Sequence, residues 1–206
     1  MSFKRITTWL AIGLLTGASS VWASVAPDVL ARNTTQEVVR IVSKDQGIKG
    51  GNRARIDRLV EDKVLPHFDF QKMARLAVGK NWSKATPGQQ EQIVKAFRTL
   101  LVRTYAGAIS SVADYKIDYK PLRLQPGDTD VTVSTEVLKP GVSPVGIQYH
   151  MLKEGDDWKV YDVVVDNASL VTAYRSSFDS EVRKGGIEAL IAALNHRNQS
   201  NAHAEK

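Results

Sequence analysis

The residues of this chain that could do chemistry are few, and their spacing gives them little to do. Histidines stand at His67, His150, His196 and His203. No two have the H-x-x-x-H spacing that lets one helix face offer two imidazoles to a zinc ion. The chain has no cysteine, which excludes thiol nucleophiles and thiolate metal sites. No G-x-S-x-G elbow, Walker A loop or G-x-G-x-x-G fingerprint occurs. Gly47-Ile-Lys-Gly-Gly51 has the composition of a phosphate loop, but it follows a helical segment, whereas the motif needs a strand before it. Asp162 is the acid inside the apolar run from Trp158 to Val165. A buried carboxylate with a raised pKa is a general acid in waiting; the same residue paired with an arginine or lysine, or at an edge, is structural. Arg53, Arg55 and Arg58 cluster, as do Lys72, Arg75, Lys80 and Lys84. Asp57, Glu61, Asp62 and Asp69 interrupt both clusters, which is the pattern of a solvated helix face rather than a nucleic-acid footprint. Neither a catalytic set nor a metal site is expected.

The elements that would carry these residues begin after an address. Lys4 and Arg5 form a positive n-region, Ile6 to Ala18 an apolar stretch of about 13 residues, too short for a membrane span. Val21-Trp22-Ala23 predicts cleavage after Ala23, so residues 1–23 read as a signal peptide and Ser24 as the new terminus. With no cysteine at that point, a lipid-anchored lipoprotein is excluded. No later stretch reaches about 18 uninterrupted apolar residues, so no membrane span is expected. Without residues 1–23, which contain no acid, the chain has 26 basic and 22 acidic side chains, a balance of +4. That mild excess suits either anionic surfaces or plain solubility. An exported chain without disulfides must be held by packing alone.

Residues 24–197 read as one domain. Pro27 opens a helix to about Ser43, with Val29, Leu30, Val38, Val39 and Val42 in a partial stripe. Asn52 caps a second helix to Lys63, and Asp69 a third from Phe70 to Val78, closed by Gly79. Thr86-Pro87-Gly88-Gln89 is a capping box. The helix it starts carries Ile93, Val94, Phe97, Leu100, Leu101, Tyr105, Ala108, Ile109 and Val112, so it should run to about residue 112. Its stripe is wide enough to touch two neighbours. The period then changes to two. Tyr115, Ile117 and Tyr119 alternate with polar residues, as do Val131, Val133, Thr135 and Val137, then Val145, Ile147, Tyr149 and Met151. Turns at Pro126-Gly127-Asp128, Pro140-Gly141 and Glu154-Gly155 make an antiparallel meander, whose connections are too short for helical crossovers. Trp158 to Val165 is apolar on nearly both faces. Asn167 can cap a helix bearing Leu170, Val171, Tyr174 and Phe178 that stops near Gly185-Gly186, and a last helix holds Ile187, Leu190, Ile191 and Leu194. Residues 198–206 read as a polar disordered tail. The class is α+β, with helices on one face of a four-stranded antiparallel meander.

Three blocks in this order carry a resemblance: Phe68 to Trp82, Ala85 to Tyr105, and Trp158 to Phe178. Together they resemble the soluble periplasmic phospholipid-binding proteins of the maintenance-of-lipid-asymmetry pathway, also called the toluene-tolerance transport family. The likeness runs from about Pro27 to Arg197. Asp166-Asn167-Ala168 departs from the Glu-Gly-Val expected of the family at that turn, a difference expected to alter a cap. The resemblance implies a curved sheet enclosing an apolar cavity, with no catalytic activity and no cofactor. It implies a periplasmic carrier that passes phospholipid between an outer-membrane lipoprotein complex and an inner-membrane ABC transporter. Under it, Phe97, Leu101, Tyr105 and Ile109 would form one wall of the lipid slot, and Val133, Val137, Ile147, Tyr149 and Met151 the sheet side. Val163, Leu170, Tyr174 and Phe178 would close it, with Arg175 meeting the lipid phosphate or a partner. A ligand-free adaptor with a closed core and a periplasmic hydrolase on the same frame are the alternatives.

Overall fold

The computed structural model describes residues 25–204; the expected signal peptide lies outside the described residues. Helix α1 spans Pro27–Lys44, with proline at its start and Asp28 in its first turn, where fixed φ and negative charge both favour a helix N-terminus. After it comes the single turn α2, Gln46–Lys49. Asn52 caps α3, Arg53–Lys63, by accepting the Arg55 N–H. Asp69 caps α4, Phe70–Val78, by accepting the Lys72 N–H. The capping box forms: Thr86 accepts from Gln89 N–H, and the Gln89 side chain accepts from Thr86 N–H. The helix it starts is α5, Pro87–Tyr105. The helix does not continue to 112 as an α-helix; Ala106–Asp114 is a 3-10 segment. A tighter turn rotates successive side chains differently, so the stripe splits there between two cores.

Five antiparallel strands lie in chain order: β1 Lys116–Tyr119, β2 Asp130–Lys139, β3 Val142–Glu154, β4 Asp157–Val165 and β5 Ala168–Ser169. The fifth, two residues long, is the departure from the expected four. It exists because Asp166 and Asn167 take φ values of 46° and 67°, the left-handed pair that closes a two-residue hairpin. Val165 therefore pairs with Ala168. The helix cap consequently moves from Asn167 to Ser169, whose hydroxyl accepts the Thr172 N–H.

A bulge in β4 explains why this strand is apolar on both faces. His150 pairs with Asp162, but its neighbour Met151 pairs with Val160, leaving Tyr161 extra. An extra residue reverses which face the side chains take. Trp158 and Val160 pack on the inward face with Val133 and Met151, and Asp162 turns away from it toward the start of α6. Helix α6, Leu170–Ala204, is two helices joined at Gly185 and Gly186. Gly186 sits at φ 74°, a value open to glycine at little cost. The expected tail from residue 198 is instead helical to Ala204. Asn198 is buried and donates to the Ala96 carbonyl, while its own carbonyl accepts from Arg103, so the last turns are pinned to α5.

Three cores follow. Helices α4, α5 and α6 share one, built on Ile93, Phe97, Phe178 and Leu190. A second joins α1, α2, α3 and the 3-10 segment through Val38, Val42, Ile56 and Leu59. The third lies on the inward face of the sheet.

Candidate functional site

A cavity of about 440 Å³ opens between the second and third cores, within the range of small-molecule sites. From α1 it takes Leu30, Ala31, Thr34, Thr35 and Val38, one helical face at spacings of about four. Val64, His67 and Phe68 come from the link between α3 and α4, and Ala108, Ile109, Ser111 and Val112 from the 3-10 segment. The sheet supplies Ile117, Val137, Val145, Ile147, Tyr149, Met151 and Val160, with Tyr115 just before β1. Alternation in β3 puts Val145, Ile147, Tyr149 and Met151 on this face. From Val145 to Met151 the wall runs about 20 Å at about 3.3 Å per residue.

Along the sheet the wall is buried at Met151 and Val160 and half-buried at Val137 and Val145, with Ala108 across from it exposed. We term the less buried part the mouth. None of its described wall residues is Lys, Arg, Asp or Glu. His67 and Tyr149 on this wall favour their neutral forms. Burial pushes the Tyr149 phenol upward, against a hydrogen bond with Thr135. Burial lowers the His67 pKa, aided by the Lys159 charge and opposed by Asp157 and Glu37, so the imidazole is neutral at pH 7. Thr35 spends its hydroxyl on the Ala31 carbonyl, 2.8 Å away. The wall can accept methylenes by burial and has no fixed charge with which to choose a head group.

Of the residues expected to line a slot, Ile109, Val137, Ile147, Tyr149 and Met151 are brought together on this wall. The others stand elsewhere, and the expected placement is corrected. Phe97, Tyr174 and Phe178 form an aromatic cluster, with ring centroids 5.1, 5.2 and 5.6 Å apart, inside the three-helix core with Leu101. The wide stripe of α5 packs against α4 and α6. Tyr105 is 42% exposed; partial burial and the neighbouring Tyr174 push its pKa up to about 12. Val133 is 1% exposed, sealed in the core with Val163 packed beside it. Leu170 opens α6 at the far side of β4. Arg175 donates twice to the Leu76 carbonyl, at 3.2 and 3.0 Å, and borders a surface groove between α4 and α6 instead of the cavity.

Wall residues on α1 and in the α3–α4 link were not assigned from sequence. The α1 stripe is visible, but nothing in it distinguishes a cavity from a core. His67 and Phe68 lie in a turn, where no period operates. Tyr115, Ile117 and Val145 show in the alternation but carry no mark of the wall.

The other chemical candidates resolve structurally. Asp162 accepts from Ser169 Oγ at 2.5 Å and from Val171 N–H at 3.1 Å. It caps the start of α6, and its partners are a hydroxyl and an amide, so of the structural readings the pairing with an arginine or lysine does not form. The Gly47 loop cannot cradle phosphate, because Asp45 Oδ1 already takes the Gly47 and Ile48 N–H groups. Arg55 pairs with Asp45, Arg53 with Asp57, and Lys80 lies 3.9 Å from Asp179. No described group of His, Asp and Glu has metal-site geometry, and no described helix is long and apolar enough to cross a membrane.

This fold and site define a class: α+β proteins whose antiparallel sheet and overlying helices hold an uncharged internal pocket between them. Within that class, the chain belongs to the MlaC protein family, whose model matches residues 32–196. It is similar to a solved phospholipid-binding protein from Ralstonia solanacearum, determined in complex with a phospholipid. The two share 35% identity and superpose with a TM-score of 0.80 over 86% of this chain and 99% of that one. It is 20% identical to the intermembrane phospholipid transport system binding protein MlaC of Haemophilus influenzae, over 84% of this chain and 82% of the relative. It is 23% identical to the toluene tolerance protein ttg2D of Pseudomonas putida, over 81% and 77% respectively.

Proposed function

We propose that this chain is a periplasmic phospholipid carrier that works by enclosure and catalyses no reaction. The observation that carries the reading is the cavity itself: its described wall has no Lys, Arg, Asp or Glu, and along the sheet it grades from buried at Met151 to half-buried at Val145. The phospholipid held by the Ralstonia relative at 35% identity supports it. A bilayer core is about 30 Å thick, so one leaflet's chains reach about 15 Å, which the wall's length accommodates. A diacyl lipid carries on the order of 30 methylenes, each costing about 0.8 kcal/mol to expose, or about 24 kcal/mol in all. Free lipid crosses water at no useful rate against that barrier. A carrier that covers the chains removes most of it, while the head group stays in water at the mouth. We assign Ile109, Val137, Ile147, Tyr149 and Met151 to the acyl chains, along with Leu30, Ala31 and Val112. The exchange partners in this reading are an outer-membrane lipoprotein complex and an inner-membrane ABC transporter, the latter supplying the energy.

Native mass spectrometry of the protein purified from periplasm, followed by solvent extraction, tests the proposal. The expected result is a phospholipid at near-unit occupancy. A protein that arrives empty and takes no lipid from vesicles would overturn it.

A further inference from the structure

Two segments that contribute to the cavity wall carry no charge along their length. One is Ala106–Ala113, on the 3-10 side; the other is Pro140–Tyr149, the tip and first half of β3. In a chain whose residues are 24% charged, two such runs meeting one cavity are uncommon. Pro140 to Pro144 are all exposed, and Val142 has 57% of its surface in water. An apolar side chain at a hairpin tip does nothing for the fold there. Lys139 and Lys116 stand beside this tip. Lys116 pairs with Leu138 across the strands, and Lys139 lies 5.1 Å from the Tyr115 ring. Both are exposed, and neither has an acidic partner among the described residues, unlike Lys120, which is held by Asp118 and Glu136. Asp114 borders the first lip; on the second, Asp166 accepts the Gly146 N–H and Glu136 pairs opposite Gly146.

Resting on the carrier reading above, we propose that these two lips are a docking surface for an anionic lipid bilayer. Val142 enters the interface, the two lysines meet the head groups, and the mouth opens onto the acyl region. The uncharged lips carry the argument, because a lipid leaving a bilayer would otherwise slide its chains past solvated charges. The lysines supply complementarity to an anionic surface, each raising partition about fivefold. The lips run without a break into the uncharged cavity wall, through Ile109 and Val112 on one side and Val145 and Ile147 on the other.

Flotation of the purified protein with vesicles tests this. One set contains phosphatidylethanolamine and phosphatidylglycerol; the other is phosphatidylcholine alone. The wild type should float with the anionic set. Val142→Asp should lower the bound fraction at least tenfold, and Lys116→Gln/Lys139→Gln about 25-fold on anionic vesicles only. Leu124→Asp, an exposed apolar position in the connection between β1 and β2, should change nothing. Equal binding by all four proteins overturns the proposal. So does a wild type that ignores vesicles; if it still retains lipid by native mass spectrometry, the carrier reading stands and the lips serve a protein mouth instead.

Discussion

Replacing Ile147 by glutamate places one titratable charge on the cavity wall and separates enclosure from folding. Ile147 is half-buried between Thr135 on β2 and Val165 on β4. In the empty protein the new carboxylate can point into water at the mouth. The loss is then about half the burial of an isoleucine, about 1–1.5 kcal/mol, against a typical total stability of about 5–15 kcal/mol. In the loaded protein acyl chains fill that space, and the carboxyl must be neutral. Protonating a glutamate with a pKa of about 4.3 at pH 7 costs about 2.7 pH units, or about 3.7 kcal/mol. Exchange with a bilayer starts near balance, since the chains move from one apolar medium to another, so that cost passes directly into the partition. The expected loss at pH 7 is about 500-fold relative to Ile147→Gln, which introduces a polar group without the charge. At pH 5 the gap between the two variants should shrink to about sixfold. Occupancy is read by native mass spectrometry after equilibration with vesicles at each pH, with circular dichroism confirming the fold. Equal retention by the glutamate and glutamine variants, or a gap that ignores pH, would refute the assignment of Ile147 to the acyl wall.

Phe97→Ala should cost about 3–5 kcal/mol in chemical denaturation, because Phe97 is fully buried in the three-helix core. The folded fraction should still retain lipid, since Phe97 is not on the cavity wall. Asn167→Val should lose about 1–2 kcal/mol of stability, since φ is 67° there, while Asn167→Gly should lose nothing; urea midpoints decide between them. His67 makes stability fall on acidification. Burial and the Lys159 charge depress its folded pKa below the ordinary value of 6.5, so the unfolded chain takes up the proton first as pH drops. The contribution is complete above pH 6.5 and is lost as pH falls from there toward the folded pKa. His67→Gln should therefore flatten the slope of thermal stability in that window.

Elements whose cause lies within a few residues were legible in the sequence: the caps at Asn52 and Asp69, the Thr86–Gln89 box, the stop at Gly79, the break at Gly185-Gly186, and the alternation that puts Val145, Ile147, Tyr149 and Met151 on one face. The ordered blocks from Phe68 to Phe178 also pointed to the family. Other features depend on what packs against what. The bulge at Tyr161 reads in sequence as a continuous apolar strand, and only pairing with β3 shows that Asp162 turns away from the cavity to the start of α6. The wide α5 stripe shows that two neighbours exist, but not whether either is a ligand. Its occupants proved to be α4 and α6. The cavity wall came instead from α1, the 3-10 segment and the sheet, because a core and a pocket use the same apolar side chains and differ only in how far apart the packed elements stand. Periodicity along one chain determines which face of an element is apolar; the distance between two such faces belongs to the tertiary structure, and that distance is what makes the cavity.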